Sequence, residues 1–169
     1  MTMWHAISTL LAETLDENTI VERRELPGGE LHAAWYVRYG AHHIFVKSDA
    51  HELLQKFTDE ADQLALLARS NTVRVPQVYG VGSGRESSFL LLEYLPPRPF
   101  DAHGAWRFGQ QMARLHQWSE QPQFGLDFDN DLSTLPQPNA WQRRWSRFFC
   151  RTAHRLAIAV GGGKRAGVW

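Results

Sequence analysis

The chain has 169 residues, and its 18 Lys and Arg residues balance 18 Asp and Glu residues, so the formal net charge is zero. This length suffices for one globular domain with its own core, and 43% hydrophobic with 21% charged residues is typical of a folded chain rather than a disordered one. The charge balance excludes a basic field for nucleic acid or for an acidic membrane surface, and no apolar run has the length of a membrane span.

The first half of the chain predicts a helix, three strands and a second helix. Apolar residues recur at helical spacing from Ile7 to Leu15. Aromatic and β-branched stretches then predict an antiparallel meander, because glycines at 28–29 and at 40 supply the turns. An apolar stripe over 53–70 predicts the next helix. The first strand opens at Thr19-Ile20-Val21 and is broken at Pro27-Gly28-Gly29, and the other two are Leu31–Tyr39 and His43–Lys47.

The second half predicts two more strands and then helices. Val73–Gly80 contains the proline that an edge strand tolerates, and Phe89–Leu95 is an apolar run of the kind that is buried on both faces. Pro96–Pro99 forms a stiff linker. The residues after the linker predict a helix at Trp106–His116, a loop at Phe124–Pro138 and an amphipathic helix at Ala140–Phe149. The order of elements predicts an α+β fold, in which a five-stranded sheet with one inserted helix precedes the start of a helical domain.

Gly28 and Gly29 lie between two predicted strands. When the pair is taken alone, a plain hairpin turn is the simpler interpretation. The functional interpretation is a loop over phosphates, because glycine lets backbone N–H groups approach phosphate oxygens without a Cβ in the way.

Lys47 ends the third predicted strand. A lysine at such a place usually serves solubility, but in a nucleotide-binding domain it aims an ammonium group at the α- and β-phosphates. That role requires a carboxylate on the neighbouring helix, and Glu60 is the candidate because it lies at the margin of the apolar stripe. Asp59 and Asp62 compete for the role, although a solvated helix face is the simpler interpretation of both.

Glu93, Tyr94 and Leu95 lie between a buried strand and the proline linker. This is the place of a hinge, a segment between two lobes whose backbone C=O and N–H groups would bind the adenine edge. A simple strand end is the alternative. The histidines form no metal set, since His51–Gln55 starts like a zincin motif but lacks the second histidine.

Several short motifs together resemble the N-terminal part of the fructosamine kinase (ketoamine kinase) family. The resemblance runs from Met1 to Phe149, and its most specific stretch begins at Pro136. The motifs are Leu26-Pro27-Gly28-Gly29, Phe45-Val46-Lys47, Phe57-x-x-Glu60-Ala61, Val75-Pro76-x-Val78, Leu92-Glu93-Tyr94-Leu95, Leu115-His116, Phe124-Gly125-Leu126-Asp127-Phe128-Asp129-Asn130 and Pro136-Gln137-Pro138-Asn139-x-Trp141-x-x-x-Trp145-x-x-Phe148-Phe149.

The resemblance implies a fold like that of protein kinases and aminoglycoside phosphotransferases. A nucleotide-binding N-lobe would occupy residues 1–95, and a linker with the first helices of a C-lobe would occupy 96–149. The family phosphorylates ketoamines, so the resemblance implies ATP, Mg²⁺ and a ketoamine that is either a small molecule or bound to a protein. The acceptor stays open between fructosamine, ribulosamine, erythrulosamine and a free sugar.

The resemblance also assigns roles to the candidate residues. Gly28 and Gly29 would cover the phosphates, Lys47 would bind them, Glu60 would hold Lys47, and the hinge would consist of Glu93, Tyr94 and Leu95. The H-G-D-x-x-x-x-N catalytic loop and the Asp-Pro metal motif of the family do not occur in this sequence. The expected set of catalytic residues is therefore empty, as is the set of metal ligands.

Residues 150–169 differ in composition, with basic residues, a glycine run and no acid. A back-translation with one base deleted restores a Phe-Phe-x-x-x-Arg pattern like that of the family, which predicts an out-of-frame tail and a truncated kinase that is inactive alone. The alternatives are a non-catalytic nucleotide-binding or interaction module and a non-functional frameshift product. The single cysteine, Cys150, excludes an internal disulfide and favours the cytoplasm.

Overall fold

A computed structural model describes residues 1–15, 19–27, 31–132 and 135–151. The chain forms two compact units, Met1–Trp118 and Ser119–Trp169. The domain limits at residues 95 and 149 stay predictions. Within the described part of the chain, none of the helices combines the length and the apolar character that crossing a bilayer requires.

The first unit is built on a five-stranded antiparallel sheet with the spatial order β1-β2-β3-β5-β4. The strands are β1 Ile20–Leu26, β2 Ala33–Tyr39, β3 His42–Ala50, β4 Val78–Ser83 and β5 Ser87–Glu93. This architecture confirms the predicted α+β fold with a five-stranded sheet. Gly40 turns the chain between β2 and β3 with a φ of 54°, a left-handed conformation that glycine adopts without strain.

Three helices accompany the sheet: α1 Met3–Thr14, α2 Leu54–Arg69 after a 3-10 turn at His51–Leu53, and α3 Ala102–Gln117. At the start of α3 the Asp101 carboxylate accepts a hydrogen bond from the Gly104 N–H at 2.6 Å. Such a cap satisfies one of the free N–H groups of the first helical turn. It places the helix start four residues before the predicted Trp106.

The side chains of β3 alternate between the two faces of the sheet, and each face carries its own core. On one face Ile44 and Val46 are fully buried together with Ile7 and Leu11 of α1. On the other face Phe57 of α2 packs with Leu90 and Leu92 of β5, and Phe45 lies against this second core. Strand β5 contributes to both cores, which confirms the prediction that it is buried on both faces.

The second unit differs from the sequence-based expectation in two places. The predicted loop at Phe124–Pro138 contains a hairpin formed by β6 Asn130–Leu132 and β7 Leu135–Gln137. The helix predicted from Ala140 begins only at residue 145. The residues before it are held extended, because Gln142 exchanges two backbone hydrogen bonds of 2.8 Å with Phe124. Tertiary pairing here outweighs the helical pattern of the sequence.

Candidate functional site

Lys47 lies in the middle strand of the sheet, on the face that carries α2. Its register partners are Ala34 on β2 and Leu90 on β5. The ammonium Nζ donates to both carboxylate oxygens of Glu60, at 2.9 Å to Oε1 and 2.6 Å to Oε2. The side chains are 23% and 34% exposed, so the ion pair is neither sealed from solvent nor fully screened by it.

The sequence of α2 explains why Glu60 faces the sheet. Phe57 is 1% exposed in the core beside Leu90, and Glu60 follows it by three residues, so both lie on one side of the helix. The competing acids have other surroundings. Asp59 accepts a hydrogen bond from Gln55 of the same helix at 2.9 Å, and Asp62 is exposed. The structure therefore brings Lys47 together with the acid that the sequence favoured.

The predicted hinge begins with Glu93, the last residue of β5, and continues through Tyr94 and Leu95. The Glu93 N–H donates to the carbonyl of Gln77 at 2.7 Å, and the Tyr94 N–H donates to the carbonyl of His43 at 3.0 Å. The Leu95 N–H forms no hydrogen bond with any of the described residues, and Leu95 is 36% exposed. Of the three N–H groups in the segment, the one of Leu95 is thus available to a ligand.

The Glu93 carboxylate is bound within the protein. It accepts from the guanidinium of Arg74 at 2.5 Å and from the Gln77 N–H at 3.3 Å. Burial raises the pKa of the Tyr79 phenol, and the negative charge of Glu93 raises it further. These contacts fix the end of β5 to the segment that leads into β4. Sequence reasoning missed Arg74, because nothing in a spacing of 19 residues between an irregular segment and the end of a strand signals an ion pair.

Tyr94 packs edge-on against Tyr36 of β2, with ring centroids 4.9 Å apart and planes at 75°. The Tyr36 hydroxyl is hydrogen-bonded to Nδ1 of His43 at 2.7 Å. Edge-to-face packing of this kind holds two aromatic rings in a defined orientation. The backbone after Tyr94 is therefore anchored to the same sheet that carries Lys47.

Gly28 and Gly29 lie outside the described residues. Their connection joins β1, which ends at Leu26, to β2, and Leu26 pairs in register with Ala34. Ala34 in turn pairs with Lys47, so the three residues form one line across the sheet. Among the described residues no group of three or more His, Cys, Asp or Glu side chains could hold a metal ion.

Comparisons with known proteins agree on one family. The sequence profile described as "Fructosamine kinase" matches residues 3–167. The chain is 63% identical over 163 residues to the "Probable ketoamine kinase YniA" of Escherichia coli (strain K12). The aligned region covers 95% of this chain and 57% of that protein. It is 62% identical over 168 residues to the "Probable ketoamine kinase" of Klebsiella aerogenes, where the aligned region covers 98% of this chain and 59% of that protein.

A solved structure leads to the same family. The crystal structure of "Putative fructosamine-3-kinase" from Haemophilus somnus 129PT superimposes with a TM-score of 0.84 at 37% identity, covering 95% of this chain and 56% of that chain. The chain thus spans somewhat more than half the length of these relatives. The profile match extends over most of residues 150–169, whose out-of-frame origin stays a prediction. The sequence match and the shared fold together establish that the chain belongs to the fructosamine kinase family.

Proposed function

We propose that this chain provides the ATP-binding part of a ketoamine kinase, a phosphotransferase that moves the γ-phosphoryl group of ATP to a sugar hydroxyl of a glycated amine. The observation that carries the proposal is the partly exposed Lys47–Glu60 ion pair between β3 and α2. The names of the relatives support the acceptor class. Action on a small or protein-bound ketoamine in the cytoplasm belongs to the proposal for the whole protein.

The ion pair suits a phosphate-binding role for a physical reason. A lysine side chain has four rotatable bonds and loses entropy when it is fixed, so an isolated lysine binds a phosphate at a high entropic cost. Glu60 holds the Lys47 ammonium before nucleotide arrives, and at a distance of 2.6 Å it leaves little freedom to the Nζ atom. Preorganisation of this kind lowers the cost of binding.

The base end of the nucleotide would meet the segment after β5. The Leu95 N–H is the donor that we assign to the adenine edge, because those of Glu93 and Tyr94 are used inside the sheet. Glu93 would act through its backbone position, since its carboxylate pairs with Arg74. Lys47 and Leu95 would thus mark two ends of one site in the first unit.

Magnesium, when bound with ATP, would neutralise negative charge on its phosphates. The described residues provide no cluster of carboxylates that fits this ion. No step of the proposal is therefore assigned to metal ligands of this chain. The phosphate-covering role of Gly28 and Gly29 remains part of the proposal on the ground of their place between β1 and β2 in sequence.

Calorimetric titration of the chain with ATP tests the proposal. We expect saturable binding that the Lys47→Ala variant weakens by about tenfold, the loss expected for one hydrogen bond between charged groups. Lys56→Ala is the matched control, because Lys56 is an exposed lysine on α2. Equal affinity of both variants, or no ATP binding by the unaltered chain, would contradict the proposal. Mass spectrometry of a fructosyl-lysine peptide incubated with ATP and this chain tests phosphoryl transfer: because the catalytic-loop motif does not occur in this sequence, we expect no added mass of one phosphate, and such a gain would contradict the expected inactivity of the chain alone.

A further inference from the structure

A second hydrogen-bonded pair of side chains lies beside the Lys47–Glu60 pair without being part of it. His32, just before β2, approaches Asp49 of β3 with 2.7 Å between Nδ1 and Oδ2. The side chains are 25% and 27% exposed. The pKa of the Asp49 carboxyl is lowered: burial alone would raise it, but the hydrogen bonds from His32 and from the Ala50 N–H together outweigh burial.

The two pairs share one face of the sheet and one aromatic ring. Lys47 and Asp49 are two residues apart on β3, so their side chains point to the same face, with Cα atoms about 7 Å apart. The ring of His32 lies edge-on against that of Phe57, with centroids 5.2 Å apart, and the Lys47 Nζ lies 6.0 Å from the centroid of the same Phe57 ring. Phe57 therefore contacts both pairs.

This arrangement creates a competition for the lysine. A free Asp49 carboxylate would be within reach of the long Lys47 side chain, as diagonal and same-face neighbours on a sheet are. It would offer the ammonium group an alternative to Glu60. In the structure Asp49 instead accepts hydrogen bonds from His32 and from the Ala50 N–H, at 2.7 Å each.

We propose that His32 is a positioning residue that occupies Asp49 and thereby leaves Lys47 to Glu60. The sheet does not need the pair for its cohesion. Ala33 and Ser48 are already in register, the Ser88 hydroxyl donates to the Ala50 carbonyl, and neither His32 nor Asp49 belongs to either buried core. The consequence for nucleotide binding rests on the proposed function, whereas the choice of partner for Lys47 does not.

The test combines two substitutions and a readout that needs no nucleotide. His32→Phe keeps a ring beside Phe57 but frees Asp49, and His32→Leu repeats the test with a smaller side chain. The ammonium ¹⁵N–¹H signal of Lys47 is observed by NMR, and Lys47→Ala assigns it among the lysines of the sequence. We expect the signal to shift in His32→Phe and to return in His32→Phe/Asp49→Asn, because the amide that replaces the carboxylate carries no charge for which Lys47 would leave Glu60.

Affinity for ATP is the second readout. We expect His32→Phe to raise the dissociation constant by about fivefold, a coupling usual for neighbours in one network, and the added Asp49→Asn to restore it. His5→Phe, at an exposed histidine on α1, is the matched control and should change neither readout. A merely structural role would lower the melting temperature without rescue by Asp49→Asn.

The outcomes separate the two proposals. An unchanged Lys47 signal in both His32 variants, or a shift that Asp49→Asn fails to reverse, overturns the role of His32. If the signal shifts and returns as expected but the unaltered chain binds no ATP, the positioning role stands and the proposed function fails.

Discussion

Replacing Glu60 by Gln separates the contribution of the ion pair to folding from its contribution to ligand binding. The substitution keeps the size and shape of the side chain and removes its charge. Glu60 is 34% exposed and Lys47 23% exposed, so solvent screens part of their attraction. We therefore expect the free energy of unfolding to fall by only about 0.5–1 kcal/mol, near the upper end for exposed ion pairs. In a chain of this size that equals a fall in melting temperature of about 1–4 °C.

The expected effect of Glu60→Gln on ATP affinity is larger. Without the carboxylate that receives two of its hydrogen bonds, Lys47 loses its fixed position. We expect the dissociation constant for ATP to rise by about tenfold, which equals about 1.4 kcal/mol and is close to the range for one hydrogen bond to a charged group.

Two measurements on the same variants check this reasoning. Thermal unfolding followed by circular dichroism gives the stability, and calorimetry gives the affinity. Asp62→Asn is the control, because Asp62 is an exposed acid of the same helix. A fall in melting temperature of more than about 10 °C with unchanged affinity would show that the pair serves the fold, and the argument from partial exposure would then be refuted.

Three further predictions concern the first unit. Gly109→Ala should stabilise it by about 0.5–1 kcal/mol in urea unfolding, because the position lies inside α3 and an added Cβ meets nothing within 4 Å. Gly82→Ala should destabilise the first unit by about 1–3 kcal/mol, because the new Cβ would lie 2.7 Å from Cζ of Phe89, whose buried ring, 1% exposed, has no room to move aside. Equal stability of the Gly82→Ala and Gly109→Ala variants would contradict this. Asp49→Asn should make the free energy of unfolding fall less steeply as the pH is lowered. Folding lowers the pKa of the Asp49 carboxyl, so its ionised form stabilises the fold above the pKa of the unfolded chain, and this stabilisation disappears as the pH falls through the pKa of the folded chain. Melting temperatures between about pH 5 and pH 2 check this, and parallel curves for the variant and the unaltered chain would count against it.

The sheet and its inserted helix follow from local patterns in the sequence. The run at Phe89–Leu92 is apolar on both alternating faces, and β5 indeed contributes to the cores on both sides. Gly40 marked a turn that does have a positive φ. Periodicity succeeds here because each residue's face depends only on the geometry of its own strand or helix.

The second unit shows where local pattern fails. The helical spacing of Trp141, Trp145 and Phe148 predicted a helix from residue 140, but Gln142 pairs with Phe124 and the Trp141 Nε1–H donates to Asp127 at 2.9 Å. These partners lie 14 or more residues away along the chain, so a short window on the sequence does not contain both sides of the contact.

For the site, the sequence by itself determined the residue types and their order: a lysine in the third strand, an acid at the edge of a helical stripe, and a hinge segment before a run of prolines. The predicted strand end at Lys47 was wrong, because β3 continues to Ala50 through its pairing with β5. The tertiary structure decided which groups meet. It paired Lys47 with Glu60, used the N–H groups of Glu93 and Tyr94 inside the sheet, and brought His32 to Asp49. The physical reason is that sequence periodicity fixes the face on which a side chain lies, whereas the distance between side chains on different elements depends on how those elements pack.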